Sequence, residues 1–84
     1  MEWEVTEVEI VDKYALRVRF KDGSAGVIRF SPTFFRDGFS PLHEHAQFQQ
    51  VQLVDGVVTW AGELDLAPDA MHKEIRQHGE WILT

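Results

Sequence analysis

The feature that most constrains this chain is an unbroken alternation of side-chain types early in the sequence. Four large apolar residues alternate with four small or cationic ones, namely Tyr14, Leu16, Val18 and Phe20 with Ala15, Arg17, Arg19 and Lys21. Because successive side chains of a strand point to opposite faces of a sheet, this pattern predicts a strand with one buried face and one cationic face turned to solvent. Asp22-Gly23-Ser24 supplies a turn after it, since Gly accepts positive φ and Asp hydrogen-bonds its own backbone.

Two neighbouring segments extend this strand into a three-stranded antiparallel meander. Residues 3–11 are rich in Val, Ile and Thr, which favours a strand. Their apolar parity switches between Val5 and Val8, and this indicates a bulge or a late start of the strand. Asp12-Lys13 forms the first turn, and Ala25–Phe30 returns as the third strand.

The charges of the meander predict a paired, solvated face. Arg17 and Arg19 would lie across from the glutamates of the first strand, and cross-strand pairs of opposite charge stabilise a sheet. The whole chain carries a net charge of −6, whereas a nucleic acid or an anionic membrane needs a positive surface. We therefore expect no membrane partner and no direct nucleic-acid contact. A binding stripe of Arg17, Arg19, Arg29 and Arg36 is the weaker interpretation.

The middle of the chain is too aromatic for a solvated linker. Ser31-Pro32 predicts a helical turn with Ser31 as N-cap and Pro32 at the first helical position, where its missing N–H costs nothing. Pro41-Leu42 opens a second short turn, in which Leu42 can pack near Phe48.

The second half contains a hairpin and a helix. Asp55-Gly56 stands between two apolar runs and predicts a type I′ turn, which needs positive φ at both central positions. Pro68-Asp69 suits a helix N-terminus, Met71 and Ile75 form an i, i+4 apolar stripe, and Gly79 is a C-terminal stop. The apolar tail after Gly79 is expected to dock or pair. The predicted fold is α+β: an antiparallel meander and a β-hairpin, with one short helical segment in the middle and a C-terminal helix packed on the sheet.

Composition excludes several classes of protein. With 84 residues we expect a single domain, 1–84. The chain has no cysteine, which rules out a disulfide scaffold, a zinc ribbon and a thiol nucleophile. No apolar run approaches the ~18 residues of a membrane span. The acidic start of the sequence lacks the layout of a signal peptide, and we expect a cytoplasmic protein.

Neither the histidines nor the carboxylates form a recognisable catalytic or metal-binding motif. The histidines are His43, His45, His72 and His78, and the last two are six residues apart rather than at the i, i+4 spacing of a helical zinc pair. Asp65 and Asp69 bracket Pro68, which favours capping or satisfying backbone N–H groups over acid–base work. We expect no enzyme activity, no cofactor and no metal.

The aromatic content suggests an interaction surface. Three Trp and six Phe are many for this length, and each ring buries about 150–250 Å² when it is in a core. A domain this small cannot easily hide them all. The residues expected near a partner-facing patch are Phe34, Phe35, Phe39 and Trp81.

Several short motifs follow one another along nearly the whole chain. They are Val5 and Val8; Tyr14-x-Leu16-x-Val18-x-Phe20-x-Asp22-Gly23; Phe30-Ser31-Pro32; Phe39-x-Pro41-Leu42 with Phe48 and Val51; and Trp60-x4-Asp65-x2-Pro68-Asp69. In this order the motifs resemble the bacterial domain of unknown function 2442 family. Two departures stand out: Arg29 occupies a position where the family often has an acid, and Ala61-Gly62-Glu63 replaces a frequent Pro-Asn-Gly.

The resemblance implies a small α+β domain with no established catalytic residues. It also implies an arrangement similar to toxin–antitoxin pairs, in which a neighbouring gene encodes a second small protein. The leading hypothesis is a non-enzymatic interaction or regulatory domain, antitoxin-like, that binds this protein partner or a second copy of itself. The alternative is a small-ligand sensing domain with a pocket between the sheet and the C-terminal helix, near Trp60 and Asp65.

Overall fold

The computed structural model describes residues 3–35, 37–60 and 64–84, and for 37 and 38 the backbone alone. The described strands form a four-stranded sheet in the order β1-β2-β3-β7 and a three-stranded sheet in the order β4-β5-β6. The strands are β1 (Val5–Asp12), β2 (Ala15–Phe20), β3 (Ala25–Phe30), β4 (Gln52–Val54), β5 (Val57–Trp60), β6 (Leu64–Asp65) and β7 (Glu80–Leu83). The helices are a first 3₁₀ helix (Pro32–Phe34), a second 3₁₀ helix (Asp37–His43), α1 (His45–Phe48) and α2 (Pro68–His78).

The meander has the predicted strands, turns and bulge. β1 pairs with β2 and β2 with β3, both antiparallel, and the β1–β2 register shifts between Val5 and Glu7. This shift explains the change of parity in the sequence, because the extra residue moves the following side chains to the other face. Leu16, Val18 and Phe20 are buried, as predicted for the apolar face of β2.

Two positions at the start of β2 differ from the prediction. Tyr14 packs against the core, as predicted for the apolar face, but it is half-buried and lies in the turn before the strand. Ala15, which was predicted to face solvent, is buried. A second register shift between Ile10 and Asp12 accompanies the turn, and local irregularity of this kind breaks the simple two-residue period.

The middle of the chain is more helical than predicted. Ser31 caps the first 3₁₀ helix and Pro32 is at its first position, as expected, although no side-chain capping bond forms. The predicted short helical segment is present, and it is longer than expected because two 3₁₀ helices precede the single turn of α1. Pro41 lies inside the second 3₁₀ helix rather than opening a turn. Leu42 and Phe48 are both buried in the core.

The hairpin and the C-terminal helix are confirmed. Asp55 and Gly56 both have positive φ, 50° and 78°, as a type I′ turn requires. α2 begins at Pro68 and ends at His78, and the C-cap residue Gly79 is left-handed with φ 77°. No helix in the described part of the chain is long and apolar enough to cross a membrane.

The tail pairs with the meander and closes the core. β7 runs parallel to β3, so that α2 forms the connection that parallel pairing requires. The two sheets and α2 share one cluster of buried apolar side chains, which includes Phe20, Ile28, Phe48, Trp60, Met71 and Ile75. The α+β class is therefore confirmed, with a parallel edge strand and a second small sheet as additions.

Candidate functional site

The strongest candidate site is an open recess on the outer face of the hairpin sheet. It has a volume of about 440 Å³ and is lined by Val54, Asp55, Val57, Thr59 and Asp65. The pleat of β5 buries Val58 and Trp60, so the alternate residues of β5 face outward. We call these five lining residues the hairpin recess.

Hydrogen bonding orients the acidic side of the hairpin recess. Thr59 is opposite Asp65 in the β5–β6 pair, and its hydroxyl donates to the Asp65 carboxylate. Val54 is 47% exposed and lies opposite Val57. Aliphatic and carboxylate groups side by side fit a Lys or Arg side chain, whose stem packs on apolar surface while its head binds carboxylates.

Asp65 does not have the structural role predicted for it. The residue before α2 is Ala67, and no side chain caps the helix. The carboxylate of Asp65 instead accepts the hydroxyl of Thr59 across two strands of the sheet. Asp69 accepts the backbone N–H of Ala70 at 2.9 Å within the first turn of α2, so only this second carboxylate has a helix-end role.

The structure separates the two residues of the predicted ligand pocket. Trp60 is buried, and its indole N–H donates to the Phe48 carbonyl at 2.9 Å. Asp65 is exposed on the opposite face of the same sheet. Trp60 therefore contributes to the core, while Asp65 contributes to the hairpin recess, and the recess does not lie between the sheet and α2.

The predicted aromatic patch divides between two elements. Phe34 and Phe39 are half-buried and in contact, with ring centroids 4.8 Å apart. Phe35 is buried and stacks on Phe30. Trp81 lies on β7 opposite Ile28 and also packs against the core. All four side chains contribute to the core or its margin.

A second, smaller recess lies on the charged face of the four-stranded sheet. Its volume is about 210 Å³, and Glu7, Glu9, Arg17 and Arg19 line it together with Val8 and Val18. The register places Glu7 opposite Arg19 and Glu9 opposite Arg17, as predicted.

Two of the arginines of the predicted stripe are engaged in ion pairs. Arg19 pairs with Glu7 at 3.1 Å, and Arg29 pairs with Glu80 at 3.2 Å. Arg36 lies outside the described residues. Each pair places an acidic group beside a cationic one, which reduces the positive potential that a phosphate backbone would meet.

A cluster around Asp22 was not predicted from the sequence. One oxygen of Asp22 accepts the Ser24 N–H at 2.9 Å, as expected of a turn residue. The other accepts from Nε2 of His72 at 2.9 Å, and Arg76 of α2 lies 3.9 Å away. The hydrogen bond from His72, followed by that from Ser24, lowers the pKa of Asp22 from 3.8 to about 2. His72 is fifty residues away, so no local pattern signals this contact.

The histidines have separate surroundings. Tyr14 donates its hydroxyl to the carbonyl of His43 at 2.5 Å, and His45 hydrogen-bonds Gln49 at 3.0 Å. Within residues 3–35, 37–60 and 64–84, no three His, Asp or Glu side chains come together as a metal site would require. His43, His45 and His72 therefore each have their own hydrogen-bond partners.

Comparison with known families decides the affiliation of the chain. The family model described as Protein of unknown function (DUF2442) matches residues 5–77. The chain belongs to this family. No curated protein and no solved structure matches it. This DUF2442 domain departs from the usual family pattern at two places. At the first, Arg29 forms the ion pair with Glu80. The second, Ala61-Gly62-Glu63, lies outside the described residues.

The family motifs of the DUF2442 domain coincide mainly with its core and its turns. Phe20 and Trp60 are buried, Asp22-Gly23 form a turn, and Pro68 begins α2. Asp65 is the motif residue that reaches the hairpin recess. Most motif residues therefore stabilise the fold, and Asp65 is the motif residue that also lines the candidate site.

Proposed function

We propose that this DUF2442 domain is a non-enzymatic interaction domain that binds a protein partner through the hairpin recess. The proposal depends mainly on one observation, namely that Val54 and Val57 stand beside the carboxylates of Asp55 and Asp65. A basic side chain of a partner would lay its methylenes on the valines and donate to the carboxylates.

The charge of the chain supports the same class of partner. The net charge is −6, and a surface of one sign steers the encounter with a surface of the opposite sign. The hydrogen bond from Thr59 orients the Asp65 carboxylate before any partner arrives. Such preorganisation reduces the ordering cost of binding.

A finer form of the proposal is that the domain is the antitoxin-like member of a two-protein unit. The partner would then be the basic product of an adjacent gene. Small-ligand sensing is the other function proposed from the sequence, and it has less support because the indole of Trp60 is already bonded in the core. We therefore favour a protein partner.

A peptide titration followed by NMR tests the proposal directly. The probe is a heptapeptide with one central Arg between Leu residues, and the same peptide with Gln at the centre is its control. We expect shifts in Val54, Val57 and Thr59 with the Arg peptide alone. Asp65→Asn should abolish them, whereas Glu9→Gln, an exposed acid on the other sheet, should not. Equal shifts with both peptides, or shifts confined to other residues, would contradict the proposal.

Co-purification tests the two-protein form. The tagged domain is co-expressed with the product of the adjacent gene, and the complex is sought by size-exclusion chromatography at micromolar concentration. A complex that Asp65→Asn disrupts and Glu9→Gln preserves is the expected result. Two proteins that elute separately would overturn the two-protein form.

A further inference from the structure

We propose that two copies of this chain associate through the free edge of β7, which joins their four-stranded sheets into one. This surface is separate from the hairpin recess. Among the described strands, β7 is an end strand of its sheet, and a free edge presents unpaired backbone groups that favour pairing with another strand. Ile82, at the centre of this edge, is 57% exposed.

The backbone of β7 directs alternate residues toward the open edge. The amide of Val27 donates to the carbonyl of Gly79 at 3.4 Å, and that of Ser31 donates to the carbonyl of Leu83 at 2.8 Å. Residues of the same parity face the same neighbour in a parallel pair, so Glu80 and Ile82 turn their N–H and C=O groups away from β3. An antiparallel second copy can therefore exchange two hydrogen bonds between its Ile82 and this one.

The side chains fit the register in which Ile82 faces Ile82 of the second copy. The two isoleucines then meet on the outer face of the joined sheet. Trp81 meets Leu83 of the second copy on the inner face, where each already packs against its own core. Glu80 then lies opposite Thr84 of the second copy, so no like charges face one another in this register.

The other edge of the sheet is unsuited to the same pairing. β1 carries Glu7 and Glu9 on its exposed face, and a two-fold copy would place glutamates of the two chains opposite one another. Like charges directly opposite destabilise a sheet. The beginning of β1 is also engaged, because the Val5 amide donates to the carbonyl of Gly56 at 2.9 Å. The charges therefore select β7.

Sedimentation equilibrium over a range of concentrations tests the assignment. Wild-type protein should reach twice the mass of the chain, and Ile82→Glu should weaken the dimer about tenfold or more, because a two-fold interface contains each substitution twice. Val11→Glu is the matched control, since Val11 is 47% exposed on β1. A monomeric wild type at millimolar concentration, or equal weakening by both variants, would overturn the proposal.

Charge reversal and cross-linking identify the register. Ile82→Glu and Ile82→Lys chains should each be monomeric alone and form a heterodimer when mixed, because the opposite charges face one another. The chain has no cysteine, so Ile82→Cys can form only an intermolecular disulfide with its own copy. We expect that disulfide under mild oxidation, and none with Val11→Cys. No heterodimer, or cross-linking at Val11 alone, would contradict the β7 interface.

The dimer and the hairpin recess can fail independently. Ile82→Glu should leave the response of Val54, Val57 and Thr59 to the Arg peptide unchanged. Asp65→Asn should leave the dimer unchanged. Loss of both properties in either single variant, with the circular dichroism spectrum retained, would show that the two surfaces are one and would overturn the assignment to β7.

Discussion

Asp22 connects two elements that are far apart in the sequence. Its carboxylate caps the turn between β2 and β3 through the Ser24 N–H and receives a hydrogen bond from His72 of α2. The ring of His72 also meets Phe20 edge-on at 4.9 Å. A carboxylate that holds a turn and a helix together gives the docking of α2 a dependence on pH.

The dependence on pH follows from the lowered pKa of Asp22. Its pKa falls from 3.8 to about 2 in the folded protein, chiefly because His72 hydrogen-bonds the charged form. The ionised group therefore stabilises the fold fully above pH 4, and this contribution is lost as the pH falls from about 4 to 2. Urea unfolding between pH 2 and 6 measures it.

Asp22→Asn removes this contribution while keeping the size of the side chain. We expect the variant to be less stable than wild type at pH 6 and to approach it near pH 2. Glu9→Gln, which removes an exposed acid of β1, is the control, and its stability at pH 6 should stay close to that of wild type. A constant difference between Asp22→Asn and wild type across the range would contradict the role of the Asp22 charge.

Trp60 is buried in the core with a bonded polar group. Trp60→Phe leaves the Phe48 carbonyl without its donor and creates a cavity, so we expect a loss of about 2–4 kcal/mol in the free energy of unfolding. Trp3→Phe is the control: Trp3 is 38% exposed, and the change should stay within about 0.5 kcal/mol. Equal losses of stability in Trp60→Phe and Trp3→Phe would contradict a stabilising role for the buried indole of Trp60.

At the scale of elements, the hairpin turn depends on a glycine for two reasons. Gly56 has a φ of 78°, and a Cβ there would collide with Cγ of Glu4. Gly23 has a φ of 91° with open space around it, so Gly23→Ala bears only the conformational cost of about 1–2 kcal/mol. Gly56→Ala should cost more in urea unfolding, because it adds a collision with the segment before β1.

A double-mutant cycle separates these two costs. Glu4→Ala removes Cγ and leaves a Cβ 3.2 Å from the added methyl group. In that background Gly56→Ala should cost less than in wild type and come close to the cost of Gly23→Ala, with a coupling of about 0.5–3 kcal/mol between positions 4 and 56. Additive effects of Glu4→Ala and Gly56→Ala would show that the Glu4 side chain moves away from the added methyl group without a cost in stability.

Elements with a local sequence cause could be predicted, and those with a distant cause could not. The alternation of β2 from Leu16 onward, the Asp55-Gly56 turn and the two ends of α2 each depend on neighbouring residues, and all three are confirmed. Parallel pairing of β7 with β3 joins residues about fifty positions apart, and no local period encodes it. The second 3₁₀ helix escapes prediction because its short run shows no apolar repeat.

The candidate site was only half accessible to sequence reasoning, for a related reason. A two-residue turn sets the hairpin register, so Val54, Val57 and Thr59 could have been assigned to one outer face opposite the buried Val58 and Trp60. The sequence marks Asp65 as a candidate for a ligand pocket with Trp60, but favours capping or hydrogen bonding to backbone N–H groups for it. Its true position depends on the pairing of β6 with β5, which follows from the path of the chain rather than from a motif.

At the scale of the whole molecule, the two sheets share one core. The ring centroid of Phe48 in α1 lies 5.2 Å from that of Phe30 in β3 and 5.8 Å from that of Trp60 in β5. The radius of gyration is 11.8 Å, close to the ~12 Å expected when a chain of this length packs around one core. Neither sheet can therefore lose its packing alone.

We accordingly expect the two sheets to unfold together. In a Trp3→Phe and Trp81→Phe background, the fluorescence of Trp60 reports the hairpin sheet, whereas far-UV circular dichroism reports the whole chain. The two urea midpoints should coincide. Phe48→Ala should lower both midpoints by the same amount, because it reduces the free energy of unfolding of the whole domain by about 3–5 kcal/mol. Midpoints that separate, with the Trp60 signal lost first, would mean that the hairpin sheet folds as a unit of its own and that Phe48 does not join it to the meander.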